Sequence, residues 1–241
     1  MKIGKVSYNG ISSDSLGVYV TGAGTFDPAE LDTVSYQIAG RNGDLIVSNN
    51  RYKNISVSYP AFVPNDFTNR VQSIRNWLRS ATAYKKIEDN YDDDHFRMGI
   101  GREVTFTPSH ADVGSNIEFT FDCKPQRFLK TGETALTPAN NSTISNPTQY
   151  DAKPLISFKN PTSSAVVALA HSGGTYTLTA TTSYTGTVTV DCETQNIYSG
   201  SNNLNYLFTV TGGFPVLTAG SNTITYTGVT NLELIPRYWE L

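Results

Sequence analysis

The stretch GTYTLTATTSYTGTVTVDCE, residues 174–193, decides how the second half of this chain folds. Tyr176, Leu178 and Ala180 alternate with Thr175, Thr177 and Thr179, and then Val188, Val190 and Cys192 alternate with Thr187, Thr189 and Asp191. Successive side chains on a strand point to opposite faces, so this period of two marks half-buried strands. The segments LNYLFTV (204–210), NTITYTG (222–228) and NLELIP (231–236) read the same way, with Gly, Asn or Pro between most of them. Short strands at close spacing, with no helical period, predict an antiparallel β-sandwich.

The first half differs in composition and pattern. Residues 1–136 carry 15 Lys/Arg and 16 Asp/Glu, whereas residues 137–241 carry 3 and 5. The polar, proline-containing stretch TGETALTPANNSTISNPTQYDAKP (131–154) separates the two halves as a linker would. One helix is predicted in PNDFTNRVQSIRNWLRS (64–80). Phe67, Val71, Ile74 and Leu78 form its apolar stripe, Asn65 or Asp66 caps it, and Arg70, Arg75 and Arg79 lie off the stripe. Strand-like segments before and after the helix make this half α+β.

Residues 37–45, QIAGRNGDL, invite a phosphate-cradle reading because two glycines flank Arg-Asn. They fit neither the P-loop nor the dinucleotide fingerprint, and a strand-like run follows rather than a helix N-terminus. A hairpin explains them better. Asn42-Gly43 is a strong type I′ turn signal, which opposes Arg41 to Asp44, Gly40 to Leu45 and Ile38 to Val47.

Other candidate chemistry is weak. A net charge of −3 argues against a nucleic-acid binder, and no apolar run approaches the roughly 20 residues of a membrane span. The N-terminus lacks the apolar core of a secretory signal. Cys123 and Cys192 sit in alternating stretches as buried thiols, and His95, His110 and His171 are scattered, so no metal site is expected. The acidic run EDNYDDDHF (88–96) lacks the glycine and glutamate of an EF-hand and reads as a solvated hairpin loop. No nucleophile motif appears. Tyr184, Tyr198 and Tyr206 lie near turns, where exposed rings serve as sugar-stacking platforms; most such tyrosines merely pack.

Several longer stretches, taken in order, carry a resemblance. GISSDSLGVYVTGAGTF (10–26), YQIAGRNGDLIVSNNRYKNISVSY (36–59), IRNWLRS (74–80), YKKIEDNYDDDHFRMG (84–99), FTFDCKPQRFLKTG (119–132) and NLELIPRYWEL (231–241) are together similar to the distal tail proteins (Dit) of siphophages infecting Gram-positive bacteria. The resemblance implies a mainly β protein. Residues 1–132 would form a ring-building N-terminal α+β domain with one helix and an extended β-hairpin, and 133–152 a linker. Residues 153–235 would form a galectin-like or carbohydrate-module-like β-sandwich, and 236–241 a tail packing back on the N-terminal domain.

It further implies a non-enzymatic virion protein without cofactors, placed at the distal end of the tail and assembled in the host cytoplasm. Six copies would form a hub ring that joins the tail tube protein to the tail-tip, tail-associated lysin or baseplate protein. A receptor-binding protein is a further implied partner, and a central channel would pass DNA without binding it specifically. The belt contacting the neighbouring subunit maps to Tyr36–Tyr52, with Tyr36, Ile38, Gly40, Arg41, Asn42, Gly43, Asp44, Leu45 and Tyr52 at the oligomer interface. Tyr238 and Trp239 map to the interdomain anchor. The alternative is a carbohydrate-binding module for host cell-wall saccharides. The larger family members carry an inserted module for which this C-terminal half has no room.

Overall fold

The computed structural model describes residues 4–22, 24, 26–110 and 113–241; Ala23 and Thr25 of the first quoted motif lie outside the described residues. The chain forms two compact units that meet in sequence between Arg127 and Phe128. Both are built almost wholly from antiparallel strands.

The first unit contains β1 (Val6–Tyr8), β2 (Ile11–Ser12), β3 (Tyr19–Val20), β4 (Leu31–Tyr36), β5 (Leu45–Tyr52), β6 (Ile55–Asn65), α1 (Phe67–Leu78), β7 (Lys85–Asp89), β8 (His95–Thr107) and β9 (Val113–Leu129), whose last two residues belong to the second unit. The main sheet runs β2-β1-β7-β8-β9-β6-β3, and β4 and β5 form a separate two-stranded sheet. Alternation sets the core. Val57, Tyr59 and Val63 of β6 point inward beside Phe119, Phe121 and Cys123 of β9, and all are essentially inaccessible.

Helix α1 buries Phe67, Ile74 and Leu78 as its stripe predicts, and Trp77 as well. Trp77 enters the core because its ring packs edge-on against Phe119 at 5.6 Å while its Nε1–H donates to Tyr8 O at 3.2 Å. Asp66 occupies the N-cap position with φ 57°, yet its side chain bonds no backbone N–H; it accepts from the Asn69 amide at 2.6 Å instead.

The second unit contains β10 (Ser142–Asn146), β11 (Leu155–Lys159), β12 (Val166–His171), β13 (Gly174–Ala180), β14 (Thr187–Asp191), β15 (Asn196–Ser199), β16 (Asn202–Asn203), β17 (Phe208–Thr211), β18 (Gly220–Thr227), β19 (Thr230–Ile235) and β20 (Trp239–Glu240). Two five-stranded sheets, β10-β18-β12-β13-β17 and β16-β15-β14-β11-β19, enclose one apolar core, so the predicted sandwich is present. Leu169, Leu178 and Ile224 from the first sheet meet Ile156, Phe158 and Val190 from the second.

Residues 133–152, polar by composition, supply edge strand β10 and a bridge from Leu136 to Leu234. Two buried asparagines hold the loops there. The Asn146 amide donates to Tyr150 O and Leu217 O, both at 2.9 Å. The Asn222 amide donates to Thr218 O at 2.8 Å and Gly220 O at 3.0 Å, and its Oδ1 accepts from Thr218 N at 3.0 Å. Such side chains replace the strand partners that these turning backbones lack.

Candidate assembly interface

The hairpin of β4 and β5 exists, but its register differs from the one the Asn-Gly signal predicts. Tyr36 pairs with Leu45, Ser35 with Ile46, Val34 with Val47 and Thr33 with Ser48, leaving residues 37–44 as an eight-residue connection. Arg41 and Asp44 are therefore not strand partners. The connection contains a turn in which Arg41 N donates to Ile38 O at 3.2 Å with Gly40 at φ 78°, the combination a type II turn uses. Gly43 also has positive φ (83°) but Asn42 does not, so the paired left-handed residues of a type I′ turn are absent.

This register gives the hairpin two unlike faces. Side chains of paired residues share a face, so Val34, Tyr36, Leu45 and Val47 form an apolar patch on one face near the tip. Thr33, Ser35 and Ser48 line the other, where Ile46 is the lone large apolar group among these pairs. Val34 is 40% exposed, Leu45 42%, Val47 45% and Tyr36 54%. Ile38 in the connection is also exposed, and Tyr52 pairs with Leu31 at the base. There Arg51 bonds Asp32 at 2.7 Å and Lys53 bonds Glu30 at 3.5 Å; these exposed pairs position the strands more than they stabilise them. A lone two-stranded hairpin is marginal in water, and one whose apolar face stays open lacks its cover.

Tyr238 and Trp239 are held by their own unit. Tyr238 lies in the sandwich core with its hydroxyl donating to Ser145 O at 2.9 Å. Trp239 stacks on Tyr150 at 4.5 Å, and its Nε1–H donates to Asp151 O at 2.9 Å. Beside them, Arg237 adopts φ 58° and bonds Asp191 at 2.6 Å. Burial alone would raise the Asp191 carboxyl; the Arg237 hydrogen bond and charge outweigh it and hold the group below the usual carboxylate range.

Residues 147–238 match the family described as siphovirus-type tail component, C-terminal domain. The matched residues all lie within the C-terminal unit. As a whole the chain shares the fold of the SPP1 Dit protein, with 13% identity, full coverage of both chains and a TM-score of 0.78. It is also similar to a chain of the phage P2 baseplate in its activated conformation with Ca, at 10% identity, 96% coverage of each chain and a TM-score of 0.57. The Sr form of that baseplate gives 9% identity over the same coverage, with the same TM-score. No curated protein matches the sequence. The distal tail protein resemblance read from the sequence is thereby borne out, on the C-terminal family match and the whole-chain fold.

One cluster in the first unit escaped sequence reasoning. The acidic run forms the β7–β8 hairpin as expected, but two of its carboxylates are built into the unit rather than solvated. Buried Asp89 accepts from the Tyr59 hydroxyl at 2.7 Å and from the backbone N–H of Tyr91 and Asp92, both at 3.0 Å. Asp92 bonds Arg127 of β9 and lies 2.9 Å from His95 Nδ1. Burial pushes the Asp92 carboxyl up, and these two partners more than offset it, leaving it below its ordinary value. Arg97 donates to Asp27 O at 3.4 Å and Pro125 O at 3.5 Å. The run's spacing gives no hint of this, because Tyr59 and Arg127 lie about thirty residues away on either side.

Among the described residues no group of three or more His, Cys, Asp or Glu side chains is placed to hold a metal, and no helix is long and apolar enough to cross a membrane. Cys123 and Cys192 are buried and unpaired, and burial pushes both thiols up to about 12. The tyrosines read as stacking candidates differ: Tyr206 is 76% exposed, whereas Tyr184 and Tyr198 are half-buried.

Proposed function

We propose that this chain is a structural hub protein of a siphophage tail tip, acting by assembly rather than catalysis. One observation carries the reading: a chain with the tail-component fold leaves a four-residue apolar patch on its hairpin, Val34, Tyr36, Leu45 and Val47, open. Covering such a face on a second copy, and closing the arrangement by rotation, generates a ring. Six copies form that ring at the distal end of the virion tail, with the β4–β5 hairpin as the belt between neighbours and a central channel for DNA. The tail tube adjoins one side, and the tail-tip or baseplate proteins, with any receptor-binding protein, adjoin the other. SPP1 Dit, whose fold the chain shares, is described as a paradigm of hub adsorption apparatus in phages infecting Gram-positive bacteria, which supports this placement. Light scattering on size-exclusion peaks and negative-stain electron microscopy of the purified protein test it. A six-copy mass and rings with a central opening are expected; a monomer at every concentration overturns the ring.

A further inference from the structure

Asn42-Gly43 does not make the turn it signals, and the connection that replaces that turn leaves the pair chemically open. Both residues are exposed in the connection 37–44, and its backbone hydrogen bond, Arg41 N to Ile38 O, stops short of them. Among the described residues neither the Asn42 side-chain amide nor the Gly43 N–H has a hydrogen-bond partner. Apart from its chain neighbours, nothing lies within 4 Å of where a Cβ would sit at Gly43. An asparagine side chain beside an unhindered glycine N–H has a reaction partner within its own chain, and here nothing restrains either one.

The chain's other Asn-Gly pair, Asn9-Gly10, is an internal contrast. Tyr8 pairs with Ile11, so Asn9 and Gly10 are the central residues of the β1–β2 turn, at φ 51° and 79°, as a type I′ turn requires. Asn9 N donates to Lys86 O at 3.2 Å, and the Asn9 amide donates to Ser80 Oγ at 3.4 Å. Both pairs are exposed to water, so access does not distinguish them. Restraint does: Asn9 is tied at its backbone and its side chain, and Asn42 at neither.

We propose that Asn42 is a site of self-modification, at which the folded chain deamidates through a cyclic imide with Gly43 while Asn9 is spared. Gly43 N gives up its proton and attacks Asn42 Cγ. The new C–N bond closes a succinimide, the Cγ–Nδ2 bond breaks, and the nitrogen leaves with that proton as ammonia. Water, the only co-reactant, then opens the ring at one of its two carbonyls. Opening at Cγ restores the backbone and leaves aspartate. Opening at the main-chain carbonyl leaves isoaspartate, with the side-chain methylene now in the main chain. No electrons are transferred in either route. Either product places a carboxylate two residues from Asp44, at the tip of the hairpin whose apolar patch begins at Leu45. The chemistry belongs to the open hairpin and does not require the ring.

Ageing the full chain tests the proposal. Wild type and Leu45→Asp are held at pH 8 and at pH 6, digested with pepsin in acid and mapped by mass spectrometry, with circular dichroism confirming that each stays folded. Leu45→Asp keeps the hairpin open whatever the assembly state, so this arm decides the chemistry independently of the ring. Its Asn42 peptide should gain the mass of an amide-to-acid exchange and accept methyl groups from an isoaspartyl methyltransferase, faster at pH 8 because the attacking nitrogen must be deprotonated. The Asn9 peptide should convert more slowly by roughly tenfold or more, the factor for first breaking two hydrogen bonds. In denaturant the two peptides should convert alike. Asn42→Gln, whose ring would be one atom larger, should lose the methyl-accepting signal. An unchanged Asn42 peptide in folded Leu45→Asp overturns the proposal, as does equal or faster conversion at Asn9. A difference that persists in denaturant, or a signal that survives in Asn42→Gln, overturns it too.

Discussion

Leu45→Asp should dismantle the assembly while leaving the folded chain intact. Leu45 lies directly opposite Tyr36 on the apolar face of the hairpin. Full burial of a large apolar side chain is worth about 1.5–3 kcal/mol, and the four residues of this face are 40–54% exposed. Covering what remains open gains roughly 1 kcal/mol each, or about 4 kcal/mol per hairpin, before the cost of association. The substitution removes one such share and forces a carboxylate under the partner, at a further cost of several kcal/mol. A loss of about 3 kcal/mol or more per contact weakens each by over 100-fold. In the lone chain the same site is open to water, so stability should change by no more than about 0.5 kcal/mol. Ile46→Asp is the internal control. Ile46 is the more exposed of the two, at 65%, but it sits on the hydroxyl-lined face. Mass by light scattering should therefore fall to the monomer for Leu45→Asp and stay at the wild-type value for Ile46→Asp, with both melting normally. If Leu45→Asp keeps the wild-type mass, or both variants disassemble alike, the apolar face does not carry the contact.

The remaining predictions concern the two units themselves. Asn222→Ala deletes the partner of Thr218 N, Thr218 O and Gly220 O inside the sandwich and should cost about 3 kcal/mol, read as a lower urea midpoint at unchanged slope. Gly101→Ala places a Cβ only 2.2 Å from Leu78 O at the end of α1, so helix and strand must part; a loss of about 1–3 kcal/mol in the same assay is expected. Because the Asp191 carboxyl is held below its ordinary 3.8, the unfolded chain takes up that proton first as pH falls. The stability from the Asp191–Arg237 pair should be fully present above the ordinary value and disappear below it, so melting curves of wild type and Arg237→Ala should converge in acid. Both thiols, raised to about 12 by burial, should ignore Ellman's reagent at pH 8 until denaturant is added, when two react per chain.

Much of this architecture was legible in the residues alone, and what was legible is local. The alternation of Tyr176, Leu178 and Ala180 with threonines announces a strand and its inner face because successive Cβ atoms must point opposite ways. The apolar stripe of α1 and the glycine-rich tip near Gly40 are equally local signals, read from neighbours a few residues apart. Local rules stop at register. Asn42-Gly43 suggests a two-residue turn that would oppose Gly40 to Leu45 and Ile38 to Val47, whereas the observed pairing sets Tyr36 opposite Leu45 and Val34 opposite Val47, so the larger apolar side chains meet pair by pair. Partners far apart in sequence were invisible for the same reason. Asp92 looks like a solvated acid until β9 delivers Arg127, and Asn146 and Asn222 look like loop residues until the sandwich closes around them. The threonines of β13 were plain to see, but their counterpart column on β18, some fifty residues later, shares their sheet face only because β12 lies between them. By itself the sequence determined the strands, the helix and which way each side chain faces, since those depend on bond geometry and local periodicity. The tertiary structure decided which faces meet, which charges are neutralised and which surfaces stay open, since those depend on strand order and register.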